Sequence, residues 1–184
     1  MKKNVGSTDA QADPHEVEFE SLFREYWAFV YRIVRRLVVD PAEAEDLTLE
    51  TFFRLYQRGP FREDGFQPGG WLYRVATNLG LRSIRSFKRR EGYEGKAGRF
   101  AFDEAPETRP VEIQAANEDH ETARRVLAAM NERQAQLLVL RYSGMSYKEI
   151  AETLGLSPTS IGPLLVRAER EFEEKYRALA REES

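Results

Sequence analysis

The chain contains no cysteine and only two histidines among its 184 residues. The lack of cysteine excludes disulfides, thiolate metal sites and cysteine nucleophiles. His15 and His120 stand far apart, and the chain has no P-loop, Gly-x-Ser-x-Gly or His-Glu-x-x-His motif. The sequence therefore predicts a protein that is not an enzyme and that holds neither a metal ion nor a cofactor.

Long apolar runs are also missing. No run approaches the roughly 20 residues that a membrane-spanning helix needs. Residues 1–16 contain two lysines but no apolar stretch, so they do not resemble a secretory signal. We expect a cytoplasmic protein without membrane insertion.

The charges are unevenly distributed, although the net charge is only −3. Residues 82–90 hold five cations in nine positions, whereas residues 92–120 hold three basic and seven acidic side chains. A local concentration of cations indicates nucleic-acid binding more directly than the total charge does.

The hydrophobic pattern predicts an all-α fold, because apolar residues recur at three- and four-residue steps and no strand pattern occurs. We expect two small helical domains on a flexible tether. The predicted division is a disordered tail at 1–15, a first domain at 16–91, an acidic linker at 92–117 and a second domain at 118–184.

Seven helices are expected within these domains. Asp40 and Pro41 can cap and begin the second helix. The predicted helices cover about 16–39, 41–57 and 71–90 in the first domain, and about 118–130, 132–142, 147–154 and 158–180 in the second.

A helix-turn-helix pattern lies at 141–170. Ser146 and Glu149 have the spacing of a capping box, and Gly155 supplies a left-handed residue at the end of the first helix. Ser157 and Pro158 suit the start of the next helix. An ordinary helical hairpin is the alternative interpretation, but cap, turn and core positions all fall in the register of a DNA-binding motif.

One face of the third helix combines an aromatic side chain, an amide and a ladder of arginines. At about 100° per residue, these residues share one stripe. Its members are Trp71, Asn78, Arg82, Arg85 and Arg89. Cations for phosphates, a ring for stacking and an amide for a base edge suit single-stranded or opened DNA. A core position for Trp71 and a simple helix-dipole effect of the cations remain alternatives.

These stretches together resemble the extracytoplasmic-function sigma factors of bacterial RNA polymerase. The matching segments are AEAEDLTLETFFRLY (42–56), GGWLYRVATNLGLRSIR (69–85) and MNERQAQLLVLRYSGMSYKEIAETLGLSPTSI (130–161). With the first helix they span nearly all of 16–180. The resemblance implies a region 2 domain followed by a region 4 domain, with promoter recognition and transcription initiation as the function.

The resemblance also implies partners. These are core RNA polymerase, through its β′ clamp helices and β flap, promoter DNA and an anti-sigma factor. The second helix is expected to dock on the clamp helices through the polar stripe of Asp46, Glu50 and Arg54. Leu49 departs from the family pattern, which usually has glutamine there. A solvated face is the plainer interpretation of that stripe.

By the same resemblance, the loop at 59–70 and the third helix read the −10 promoter element. The expected −10 residues are Phe61, Phe66, Trp71, Asn78, Arg82, Arg85, Lys88 and Arg89. Many members have aspartate where Arg82 stands, and the change favours phosphate contact.

The −35 element is assigned to the recognition helix. The expected contacts are Ser157, Thr159, Ser160, Arg167 and Arg170. Gly162, Pro163 and Leu164 replace the polar and basic residues that many members have there, and Pro163 is expected to kink or delay the helix. We therefore expect weak −35 contact and place most of the DNA specificity in the first domain.

Two other functions fit parts of the pattern. The altered recognition helix suits a sigma-like module that only titrates an anti-sigma factor. The helix-turn-helix also suits a stand-alone regulator, but such a protein needs a dimer interface to read paired half-sites, and no heptad stretch is present.

Overall fold

A computed structural model describes residues 13–59, 61, 65–97 and 111–182 of the chain. These residues form seven helices and no strand, which confirms the all-α prediction. The helices are α1 (Pro14–Arg35), α2 (Pro41–Arg58), α3 (Pro68–Ala97), α4 (Val111–Ala129), α5 (Glu132–Tyr142), α6 (Tyr147–Leu154) and α7 (Pro158–Glu182). None of the helices within this part of the chain is long and apolar enough to cross a membrane.

The start of α1 lies earlier than predicted. Asp13 caps the helix by accepting a hydrogen bond from the His15 N–H at 3.0 Å, and Pro14 occupies the first turn. His15 was placed in the tail, but its ring stacks on Phe61 with 4.6 Å between centroids. Asp40 and Pro41 begin α2 in the same way. The repeated Asp-Pro pair was the signal for both helix starts.

The end of α1 also comes earlier than residue 39. The Arg35 guanidinium donates hydrogen bonds to the carbonyls of Val38 and Val39 at 2.8 and 2.7 Å. Leu37 and Val38 are buried in the turn that follows. Capping of these carbonyls by Arg35 stabilises the turn and lets both apolar side chains reach the core.

The predicted linker is longer than the interval between the helices that flank it. Helix α3 continues to Ala97 and α4 begins at Val111, so both ends of the predicted linker, 92–97 and 111–117, are helical. The remainder, 98–110, lies outside the described residues, as does the tail at 1–12.

Helices α1, α2 and α3 pack around the core of the first domain. Gly80 allows α3 to approach the turn after α1 closely, since a Cβ there would lie 2.5 Å from Leu37 Cδ1. Thr48, Thr51 and Thr77 are buried, and their hydroxyls donate to carbonyls four residues earlier. The largest buried side chains of this domain are Val30, Ile33, Val34, Leu37, Phe52, Leu55, Leu72 and Leu81.

Helices α4 to α7 form the second domain. The observed bounds of α5 and α6 agree with the predicted 132–142 and 147–154. Gly155 has φ 64°, and the Leu156 N–H donates to the Ala151 carbonyl at 2.8 Å, which closes α6 as expected. Leu137, Leu140, Ile150 and Ile161 are among the fully buried side chains of this core.

The two domains meet along α3. Helices α4, α5 and α6 of the second domain all contact this helix of the first domain. The predicted DNA-reading helix of the first domain therefore carries the contact between the domains.

Candidate nucleic-acid interface

Three arginines of α3 line one open surface. Arg82 and Arg89 are exposed and Arg85 is half-buried, and together with Ser86 and Ala128 they surround a shallow cavity of about 830 Å³. The predicted ladder is thus assembled on one side of α3. Lys88 lies in the same turn of helix, but its side chain lies outside the described part of the structure.

Arg85 contacts the second domain. Its guanidinium donates to the carbonyls of Ala128 and Met130, both at 3.4 Å, and pairs with the Glu132 carboxylate at 3.3 Å. These acceptors lie at the end of α4 and the start of α5. The last carbonyls of a helix lack partners within that helix and carry partial negative charge, so they attract a cation.

Asn78 also has a partner across the domains. Its side-chain oxygen accepts a hydrogen bond from the Gln136 amide of α5 at 2.5 Å. Gln136 was not among the sequence-predicted residues. It stands on α5 between the buried Ala135 and Leu137, and no local pattern pairs it with a residue 58 positions away.

The aromatic residues of the predicted −10 loop divide into two environments. Phe66 meets Trp71 edge-on with ring centroids 6.4 Å apart, and the Arg58 guanidinium lies 3.8 Å from the Phe66 centroid. Phe61 is only 4% exposed and packs on Phe19. Phe66 therefore lies beside half-buried Trp71, the first residue of the α3 stripe, whereas Phe61 is a core residue.

Most of the predicted −35 residues are exposed on α7 and the turn before it. Thr159, Arg167 and Arg170 are exposed, and Arg170 pairs with Glu174 at 3.1 Å. The Ser157 and Thr159 hydroxyls contact each other at 2.8 Å, and the Ser160 hydroxyl donates to the Ser157 carbonyl at 2.7 Å. The hydroxyl groups at this helix start therefore find hydrogen-bond partners within the same turn.

Pro163 does not delay the recognition helix. Helix α7 begins at Pro158 and runs through Pro163, which cannot donate a hydrogen bond to the Thr159 carbonyl four residues earlier. A Cβ at Gly162 would lie 3.6 Å from the Tyr147 ring, an ordinary contact. The face at 162–164 lacks charge but keeps a helical backbone.

The polar stripe on α2 is present, and an apolar stripe lies beside it. Asp46 is exposed, and Glu50 pairs with Arg54 at 2.7 Å. The apolar stripe consists of Leu49, Phe53 and Tyr56, which are 50%, 53% and 42% exposed. It was missed from the sequence, although the i, i+4, i+7 spacing places the three side chains on one side of the helix.

Two clefts flank α4. The larger cleft has a volume of about 430 Å³. Arg35 and Arg36, at the end of α1, form one wall, and helices α4, α5 and α7 form the other. The smaller cleft has a volume of about 350 Å³. Arg124 lines both clefts, and burial together with the nearby Arg35 lowers its pKa. On α3, burial raises the pKa of the Tyr73 hydroxyl to about 12, and the nearby Tyr26 and Glu149 raise it by smaller amounts.

Comparison with known families matches both domains. Residues 22–91 match the family described as Sigma-70 region 2, and residues 120–172 match Sigma-70, region 4. Together the two matches cover more than half of the chain, in the order that the sequence predicted.

Several characterised proteins are similar over most of the chain. The ECF RNA polymerase sigma factor SigE of Mycolicibacterium smegmatis is 33% identical over 145 residues, which cover 75% of this chain and 53% of that protein. The RNA polymerase sigma-E factor of Streptomyces coelicolor is 30% identical over 175 residues, covering 91% of this chain and 94% of that protein. The chain spans a little over half the length of SigE and of BldN from Streptomyces coelicolor.

Two solved structures share the fold. CnrH in complex with the cytosolic domain of CnrY has a TM-score of 0.53 at 19% identity, covering 89% of this chain and 90% of that one. The sigma factor RpoE in complex with the anti-sigma factor NepR from Bartonella quintana has a TM-score of 0.50 at 21% identity, covering 87% and 97%.

Proposed function

This chain belongs to the family of extracytoplasmic-function sigma factors, and we propose that it directs promoter recognition and transcription initiation as a non-catalytic subunit of RNA polymerase. The observation that carries this proposal is the α3 surface, where Asn78 and three arginines stand on one helix beside Phe66 and Trp71. Such a surface offers cations to phosphates, rings to unstacked bases and an amide to a base edge.

We assign core polymerase docking to α2. Asp46 and the Glu50–Arg54 pair supply charge, and the exposed Leu49, Phe53 and Tyr56 supply apolar area next to it. Protein interfaces commonly combine an apolar centre with a polar rim, and exposed aromatic side chains contribute much of the binding energy. The β′ clamp helices are the proposed partner of this face, and the β flap is the proposed partner of the second domain.

The −10 element is proposed to be read by α3 and its preceding loop. Asn78 is the candidate for base readout, and Arg82, Arg85, Lys88 and Arg89 are the candidates for phosphate contact. Phe66 and Trp71 are proposed to stack on opened bases. Phe61 is buried and is not proposed to stack on bases. It packs against Phe19, and we propose that this contact holds the loop in place.

The −35 element is proposed to be read weakly by α7. Arg167, Thr159 and Arg170 are exposed, but Arg170 already pairs with Glu174 and the turn at 162–164 carries no cation. Fewer phosphate contacts mean lower affinity and a smaller salt dependence. We therefore assign most of the promoter discrimination to α3.

An anti-sigma factor is the proposed regulatory partner, acting in the cytoplasm. The RpoE structure of Bartonella quintana is a complex with the anti-sigma factor NepR. In this chain, the cleft of about 430 Å³ combines arginines with apolar residues such as Leu127 and Phe172. That chemistry suits an amphipathic segment with acidic side chains.

The deciding experiment is run-off transcription with purified core polymerase. We expect initiation from promoters enriched by sequencing DNA that co-purifies with the holoenzyme, and no initiation by core polymerase alone. The uncharged 162–164 face favours one rival, a module that only titrates an anti-sigma factor. Release of another sigma factor from its inhibitor, without any initiation by this chain, would establish that rival instead.

A further inference from the structure

We propose that the larger cleft beside α4 is a binding site for a small amphiphilic carboxylate, of the chemical class of a medium-chain fatty acid. The arginines of the cleft hold the carboxylate, and its apolar side chains cover the hydrocarbon chain. A small-molecule ligand is a property beyond promoter recognition, and it depends on neither the −10 nor the −35 assignment.

The size and position of the cleft suit a small molecule. Its volume of about 430 Å³ lies within the roughly 300–1,000 Å³ of pockets that bury most of a small organic ligand. Arg35 and Arg36 belong to the first domain, whereas the remaining lining residues stand on α4, α5 and α7. A ligand in the cleft therefore contacts both domains at once.

Apolar side chains make up most of the wall that the second domain contributes. Leu127 of α4 and Phe172 of α7 are half-buried, and Leu138 and Val139 of α5 line the cleft with them. A half-buried apolar side chain still contacts water, so a hydrocarbon chain that covers it removes apolar surface from water. This wall therefore favours a ligand with an apolar body.

Guanidinium groups from both domains line the same cleft. Arg35 donates hydrogen bonds through Nη1 to the carbonyls of Val38 and Val39, at 2.8 and 2.7 Å. These bonds fix the guanidinium beside the cleft through a single nitrogen. An arginine that is already held in place loses little side-chain freedom when it binds a carboxylate.

Arg124 of α4 is a partly buried cation of the cleft. Burial lowers the pKa of its guanidinium, the Glu121 carboxylate raises this pKa, and the Arg35 guanidinium lowers it. The effect of Arg35 means that the two like charges, one from each domain, stand close enough to repel each other. An anion bound by both guanidinium groups relieves this repulsion and forms charge-assisted hydrogen bonds.

The acidic side of the cleft does not cancel these charges. Glu169 is the acidic member of the lining within the described part of the chain, and it accepts a hydrogen bond from the Tyr142 hydroxyl at 3.5 Å. Three arginines thus face one carboxylate. Guanidinium groups bind carboxylates through paired hydrogen bonds, while the apolar wall offers few partners to a sugar or a base. The combination favours a ligand with one anionic end.

The test is calorimetric titration of the full chain with decanoate below its critical micelle concentration. Acetate supplies the same head group without the chain, and decyltrimethylammonium supplies the same chain with the opposite charge. Arg124→Gln removes the partly buried cation, and Arg36→Gln removes an exposed cation of the same cleft. Arg133→Gln is the matched control, because Arg133 is exposed on α5 and does not line the cleft.

We expect decanoate to bind at one site per chain and to raise the midpoint of thermal unfolding, since a ligand that binds only the folded chain stabilises it. Arg124→Gln should weaken binding about tenfold or more, as the loss of a charge-assisted hydrogen bond does. Arg36→Gln should weaken binding less, because Arg36 is exposed, and Arg133→Gln should leave it unchanged. Acetate and decyltrimethylammonium should not bind measurably.

Absence of decanoate binding would overturn the proposal and leave the cleft to an acidic protein segment. Decyltrimethylammonium binding as tightly as decanoate would also overturn it, as would wild-type affinity in both cleft variants, because either result means apolar contact without the arginines. A thermal melt without ligand verifies that each variant is folded, and Arg36→Gln decides the matter if Arg124→Gln is not.

The titration contains neither polymerase nor promoter DNA. Its result is therefore separate from run-off transcription, which tests the proposed function. Initiation by a chain that does not bind decanoate means a sigma factor without this ligand site, whereas decanoate binding without initiation would count against the proposed function alone.

Discussion

Glu149 accepts a hydrogen bond from the backbone N–H of Ser146 at 2.7 Å, while the Ser146 hydroxyl oxygen accepts one from the Glu149 N–H at 3.3 Å. These reciprocal bonds begin α6, the first helix of the helix-turn-helix. A helix of eight residues has few internal hydrogen bonds, so its cap contributes a large share of its stability.

The capping box should make the stability of the second domain depend on pH. Hydrogen bonds from the Ser146 hydroxyl and backbone lower the pKa of Glu149. A lowered pKa in the folded state means a stabilisation that is present above the ordinary glutamate pKa and is lost as pH falls through the folded value. Glu149→Gln should therefore destabilise the protein near neutral pH, and its deficit relative to wild type should shrink below about pH 4.

Urea unfolding across a pH series is the measurement. Ser146→Ala should cost about 1 kcal/mol, as loss of a helix cap usually does. Glu152→Gln is the control, because Glu152 is exposed on the same helix and outside the cap. A deficit for Glu149→Gln that stays constant down to low pH would contradict the role of its charge.

Two glycine substitutions should have opposite effects on stability. Gly80→Ala places a methyl group 2.5 Å from Leu37 Cδ1 where α3 packs on the turn after α1, so we expect a loss of about 1–3 kcal/mol. Gly162→Ala meets only an ordinary contact with Tyr147 inside α7, so we expect a gain of about 0.5–1 kcal/mol. Thermal melts of both variants test the close packing of α3 on the turn after α1, and equal effects of the two changes would refute it.

Asn78 and Arg89 should affect DNA binding in different ways. Asn78→Ala removes a base contact and should cost about 1–3 kcal/mol of discrimination, roughly tenfold or more. Arg89→Ala should weaken binding to all sequences alike and reduce its salt dependence. The measurement is open-complex formation on one promoter and its −10 and −35 base variants across a salt series. If base changes in the −35 element abolish initiation while the Asn78→Ala protein still discriminates among −10 variants, the specificity lies in the second domain.

Binding of core polymerase to the α2 face should depend on both the charged and the apolar side chains of that face. Asp46→Arg should weaken assembly with core polymerase, and Phe53→Ala should weaken it about tenfold by removing an exposed ring from the same side of the helix. Glu20→Arg is the control, because it makes the same charge change as Asp46→Arg at an exposed position of α1. Binding to the isolated β′ clamp helices measures the effect, and wild-type affinity of both α2 variants would exclude this face.

The sequence by itself determined the helices and the family. Capping and turn signals act within about four residues, so Asp40-Pro41, Ser146 with Glu149 and Gly155 marked the bounds of α2 and α6 before any tertiary contact was considered. The stripe of Asn78, Arg82, Arg85 and Arg89 followed from the period of the helix alone. Even the missed start of α1 was marked locally by Asp13 and Pro14.

Only the tertiary structure decided what those side chains contact. Phe61 and Phe66 have similar sequence surroundings, but packing against α1 buries the first and leaves the second beside Trp71. Gln136 reaches Asn78 across 58 positions because the second domain lies on α3. Contacts of this range depend on how complete helices pack, and no repeat or cap in the chain encodes that arrangement locally.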